Sequence, residues 1–234
     1  MSTMELSLQF GPILVGVLLS MIMHGVLLSQ IYSYYLIYRS TDPKLNKYMV
    51  IYILIVESIH TAFSIYMIYE PLILRFGDLN ALMQYPIALT PLVSLMAAIS
   101  LPIQVFVAWR IIRLQNSFWV GGLIIITGAI SFAGAVLSAV QIRQSANFSE
   151  RRSLQMSAIL WLVPGALADV AIAATLSWSL YRRKTGLPST DAVISRIIRL
   201  TIQTGLMTSI AALLNLFTLV ALPVRAILFV VPVL

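Results

Sequence analysis

A chain of 234 residues that is 60% hydrophobic and only 10% charged lies far from a water-soluble domain, where apolar content near half and charge near a quarter are usual. With a mean hydropathy of +0.95, that balance excludes a soluble fold and predicts an all-α, polytopic transmembrane helical bundle, a single domain spanning residues 1–234. The absence of cysteine excludes disulfides, thiolate metal sites and a cysteine nucleophile, and the net charge of +7 comes from basic residues in short connections, a membrane-topology pattern and not a nucleic-acid-binding face.

No Lys or Arg precedes Arg39, so the amino terminus lacks the basic region of a cleaved signal peptide, and the apolar run Pro12 to Tyr38 is expected to be a retained first span. Further apolar segments follow at Tyr48 to Tyr69, Pro86 to Trp109, Phe118 to Ile142, Met156 to Tyr181 and Ile197 to Leu222. Each is long enough to cross a hydrocarbon core of about 30 Å. A shorter segment, Val224 to Leu234, closes the chain as a short or truncated seventh span. Pro91 and Pro102 in the third span and Pro164 with Gly165 in the fifth are expected to kink or loosen their helices. Ser189, Thr190 and Asp191 are N-cap candidates for the sixth.

Orientation follows from the basic residues. Arg39, Lys44, Lys47, Arg110, Arg113, Arg182, Arg183, Lys184, Arg196 and Arg199 flank the odd loops, ten of the fifteen in the chain. Arg75, Arg143, Arg151, Arg152 and Arg225 fall on the other side. The positive-inside rule therefore puts the odd loops in the cytosol and the amino terminus outside or in a lumen, in the plasma membrane or an endomembrane. The sequon Asn147-Phe148-Ser149 falls in the fourth loop, on the side where glycans are added, which makes Asn147 a glycosylation candidate. Tyr32, Tyr34, Tyr35, Tyr38, Tyr48 and Tyr52 suit an aromatic belt at the cytosolic interface.

The residues out of place are ionisable ones at bilayer depth. Glu57 and His60 sit near the middle of the second span, Asp169 lies about 18 Å from the cytosolic end of the fifth, and His24 is midway along the first. Such groups cost at least about 2.5 kcal/mol each in lipid and must face other helices or a cavity. Glu57 and His60, three apart, share a helix face and can pair. Two readings stay open: a ligand-binding or proton-coupled site at a common midplane level, or a hydrogen-bond network that only joins the first, second and fifth helices. A cavity between the first, second, fifth and sixth spans would favour the former. Gln104, with Trp109 and Arg110, lies nearer the cytosolic end of the third span, where Arg110, Ile111, Ile112 and Arg113 are expected to form a snorkelling membrane edge. Thr201, Thr204, Gly205, Thr208 and Ser209 supply small and hydroxylated residues for close packing of the sixth.

The run Gln30-Ile31-Tyr32-Ser33-Tyr34-Tyr35, then Glu57-Ser58-Ile59-His60, Gln104-Val105-Phe106-Val107-Ala108-Trp109-Arg110, Ala168-Asp169-Val170-Ala171, Thr190-Asp191-Ala192-Val193-Ile194-Ser195-Arg196 and Thr204-Gly205-Leu206-Met207-Thr208-Ser209 resembles a fungal, basidiomycete-type family of multi-pass membrane proteins of unknown function, domain of unknown function 6534. The resemblance covers nearly the whole chain and implies seven helices with the amino terminus outside, without an activity. Family members usually carry Asp where Glu57 stands, and they continue past the last apolar segment into a completed seventh span and a basic tail.

No H-E-x-x-H, G-x-S-x-G or phosphate-binding glycine loop occurs, and no span holds a Lys for a retinal Schiff base. Two histidines without cysteine argue against a metal, so no cofactor is expected. The expected partners are membrane lipids, a small-molecule ligand and a cytosolic protein at the basic loops. The function expected is a seven-helix, receptor-like or small-molecule-binding bundle with a polar midplane site at Glu57, His60, Asp169, His24 and Gln104. The alternatives are a proton-coupled small-substrate transporter and an intramembrane enzyme such as an isoprenoid cyclase.

Overall fold

The computed structural model describes residues 3–38, 42–77, 88–115, 118–144 and 151–182. These form five long helices: α1 (Thr3–Tyr38), α2 (Lys44–Tyr69), α3 (Leu89–Gln115), α4 (Phe118–Gln144) and α5 (Arg151–Tyr181). A π-helical turn, Glu70–Leu74, extends α2 where Pro71 interrupts the regular ladder. No strand occurs among the described residues. Each helix contains a stretch long and apolar enough to cross a membrane: Ile13–Ile37, Lys44–Leu74, Leu89–Arg113, Phe118–Arg143 and Met156–Tyr181. The expected sixth and seventh segments, Asn147 and the caps at Ser189 to Asp191 lie outside the described residues.

The helices overrun the apolar segments read from sequence. α1 begins nine residues before Pro12 and α3 continues six beyond Trp109. Hydropathy marks only the part that sits in hydrocarbon, whereas a helix continues through the headgroup layer as long as its own backbone bonds persist. At the ends of α3 and α5, Arg113 lies 5.1 Å over the ring of Trp109 and Arg182 lies 5.0 Å over that of Trp178. These stacked pairs, four residues apart, suit an interface where the indole is half in lipid and the guanidinium reaches water.

α4 is the most enclosed helix, with 39% of its span buried against 17% for α1. It packs along both α3 and α5, while α1 touches chiefly α2. Leu18, Ile22, Ile55, Ile126, Leu167 and Val170 all point outward and exposed. In water such a surface would aggregate; lipid is the solvent that tolerates it.

Two apolar clusters hold the bundle, one toward each end. The first joins Ile13 and Val17 of α1, Met67 and Ile68 of α2, Leu89, Leu92 and Val93 of α3, and Ala135 and Ala139 of α4. At the opposite end Ala108 and Ile111 of α3 meet Ile124 of α4, with Ile172 and Leu176 of α5 against them.

The prolines behave differently from one another. Pro91 falls in the first turn of α3, where a backbone N–H would have no partner in any case, so it loosens nothing. Pro102 and Pro164 lie inside α3 and α5, and both helices run on through them. Pro102 cannot donate to the carbonyl four residues back, that of Ala98. The hydroxyl of Tyr52 donates to that carbonyl instead, at 2.6 Å. Tyr52 is thus turned into the α2–α3 contact and is not a free member of an interfacial belt. Tyr34 is also engaged, donating to Asp42 Oδ2 at 2.9 Å across the α1–α2 connection.

Candidate functional site

Between the two apolar clusters lies a cavity of about 340 Å³. That is near the lower end of the range for small-molecule pockets, about 300–1,000 Å³. Four helices build its wall. α2 gives Glu57 and His60; α3 gives Met96, Ile99, Ser100, Ile103, Gln104 and Val107; α4 gives Ser131; α5 gives Trp161, Leu162, Gly165, Ala166, Asp169 and Ile172. Glu57, His60, Gln104 and Asp169 therefore share one space at one level of the bundle. Met96 and Trp161 pack on the cluster at one end of that space, and Val107 and Ile172 on the cluster at the other.

The wall differs from the one sequence suggested. No described residue of α1 lines the cavity; α3 and α4 take that place. Gln104 shares this wall with Glu57, His60 and Asp169, and α3 runs on for eleven residues beyond it, about 16 Å. His24 stays on α1, outside the wall, within electrostatic range of Glu57.

His60 is the least satisfied group. Its side chain is 4% exposed, and neither ring nitrogen has a hydrogen-bond partner. Nδ1 stands 3.8 Å from Glu57 Oε1, close enough to attract but too long for a hydrogen bond. The neighbouring hydroxyls of α2 offer no relief, since each bonds a carbonyl of its own helix. Ser58 donates to Leu54 O at 2.7 Å, Thr61 to Glu57 O at 2.9 Å and Ser64 to His60 O at 2.9 Å. Gln104 Oε1 is buried without a donor and fills the space left by the missing side chain of Gly128. His24 Nδ1 is likewise buried without a partner. Buried polar atoms are usually hydrogen-bonded, so His60 and Gln104 stand out on this wall as groups with no protein partner.

Ser131 and Trp161 were not singled out from sequence as part of this layer. Ser131 donates to Trp161 O at 2.7 Å and fixes α4 against α5 at the cavity's edge. The available signal was the small-residue stripe Gly128, Ser131, Ala135 and Ser138 on α4, the same kind of pattern noted for the sixth span.

Residues 165–234 match the model of DUF6534, a family of unknown function. The matched stretch begins at Gly165 in the cavity wall and takes in Asp169, but not Glu57 or His60. No curated protein and no solved structure matches the chain.

Proposed function

We propose that this protein is a receptor-like, small-molecule-binding membrane bundle of six full spans and a short seventh, with its amino terminus outside or in a lumen and its basic loops in the cytosol. The topology rests on the distribution of Lys and Arg and on the apolar segments beyond Arg182. The fungal character and the seven-helix plan rest on the resemblance described above. The cytosolic partner rests on the basic odd loops.

One observation carries the binding reading: a ligand-sized cavity between two dry apolar clusters, with Glu57, His60, Gln104 and Asp169 on its wall and the His60 nitrogens unsatisfied. A structural network would have joined the His60 ring to a neighbour, because a half-satisfied buried network is worse than an apolar core. Here the room and the unmet hydrogen bonds coincide.

Mass spectrometry of small molecules retained through gentle purification tests this, comparing wild type with Glu57→Gln. The variant keeps the shape and removes the charge. The expected result is a folded variant with an unchanged unfolding midpoint that no longer retains the molecule. Loss of the folded protein, with no molecule retained by wild type, would identify the polar layer as structural.

A further inference from the structure

We infer that the end of the bundle where α3 and α5 finish carries a binding surface for the headgroup of an anionic phospholipid. Trp109 and Arg113 of α3 and Trp178 and Arg182 of α5 form it, and none of the four lines the cavity. The two helices are joined at this end. Gln115 Nε2 donates to Thr175 O at 3.4 Å, and Ile172 and Leu176 of α5 pack against the cluster that holds Ala108 and Ile111 of α3. Arg182 N still bonds Trp178 O, which carries the helical path on to that residue. Arg182 comes seven residues after Thr175, close to two full turns, so it stands over the face of α5 that Gln115 meets. Arg113 precedes Gln115 by two residues, with Arg110 one turn below it.

Each arginine is held by an indole, Arg113 by Trp109 and Arg182 by Trp178. The ring face steadies the guanidinium without using its N–H donors, so the fork stays open to two oxygens of a phosphate. All four side chains are exposed, which lets the rings meet acyl chains while the charges reach headgroup level. Neither helix supplies an acid to claim them. α3 contains no Asp or Glu, and the acid of α5, Asp169, lines the cavity thirteen residues before Arg182. Asp42, on the α1–α2 connection at the same end, is taken by Tyr34 and Asn46. The sequence adds Arg183 and Lys184 directly after Arg182, so positive charge accumulates there. A zwitterionic headgroup brings its own cation beside the phosphate, whereas an anionic one leaves the phosphate to the arginines. Free phosphate has no chains for the tryptophans to cover.

The test titrates the full chain in mild detergent with dioleoylphosphatidylglycerol and dioleoylphosphatidylcholine and reads bound lipid by native mass spectrometry. Phosphatidylglycerol is expected to bind at least about tenfold tighter, and a large excess of inorganic phosphate to leave it in place. Arg113→Gln together with Arg182→Gln is expected to bring the two lipids within about twofold of each other, with phosphatidylcholine binding unchanged. Each single substitution is expected to lose part of the preference, and the singles carry the test should the pair not fold. Arg143→Gln, at the opposite end of α4, removes the same charge and is expected to change nothing. Equal binding of the two lipids by wild type would overturn the inference. So would a preference that survives the paired substitution, or one that falls as far with Arg143→Gln, since net charge would then be its cause. Displacement by inorganic phosphate would overturn the lipid as occupant and leave a soluble anion in its place.

Discussion

The two faces of α5 are held in opposite ways. Toward α4 it is packed so closely that a methyl group at Gly134 would stand 2.6 Å from the backbone nitrogen of Trp161. Ser131 to Trp161 O and Ser157 to Gln141 Oε1, both 2.7 Å, tie the same seam. Toward α2 and α3 the helix leaves a cavity. In lipid, apolar side chains gain little by meeting each other instead of acyl chains, so small residues and a few hydrogen bonds decide where helices close. Where α5 instead presents Asp169 and Ala166 to Glu57 and His60, that zipper stops and space remains.

The seam should break first. Gly134→Ala is expected to destabilise the bundle by about 1–3 kcal/mol, because the atoms it meets are backbone and cannot swing away. Gly134→Leu should leave no folded protein. Gly122, on the same helix, has nothing within 4 Å of the place its side chain would occupy. Gly122→Ala should therefore lie within about 1 kcal/mol of wild type, on the stable side if helix propensity acts. Unfolding midpoints in mild detergent compare them directly, and equal costs at the two glycines would show that the seam is not closed by Gly134.

The wall across the cavity is held less tightly, by a bond that Pro102 creates. Tyr52→Phe removes the donor to Ala98 O and should cost about 1 kcal/mol, more if the carbonyl is left dry. In a Pro102→Ala background the helix regains its own N–H, and the same change should cost close to nothing. A double-mutant cycle on unfolding free energies reads the difference. An equal cost in both backgrounds would mean that Tyr52 is not replacing the missing bond.

Much of this frame was legible in advance. Five apolar segments of sufficient length became five helices, and the ionisable residues at depth, Glu57, His60 and Asp169, line one cavity inside the bundle, where they are spared from lipid. What stayed hidden was lateral: which helix lies beside which. His24 satisfied the same depth rule as Glu57 yet fell outside the wall, since depth says nothing about azimuth. Gln104, read as a candidate of the polar site near the cytosolic end of its span, lines the cavity with α3 running on eleven residues beyond it. Tyr52 read as an interfacial ring because its partner is a carbonyl freed forty-six residues away.

The smallest stability effect, and the one that most sharpens the contrast between seam and cavity, belongs to His60. Replacing a buried group that has partners strands those partners, whereas replacing one that has none strands nothing. Both ring nitrogens of His60 lack hydrogen bonds, and Glu57 Oε1 stands too far off to depend on them. His60→Leu, similar in volume and free of polar atoms, is thus expected to leave the unfolding free energy unchanged or raise it by up to about 1 kcal/mol. Over the same comparison it should weaken retention of the bound molecule. A drop of several kcal/mol would show that His60 is a structural node joined to its neighbours, and the cavity face of α5 would then be held by the same kind of bonding as the seam.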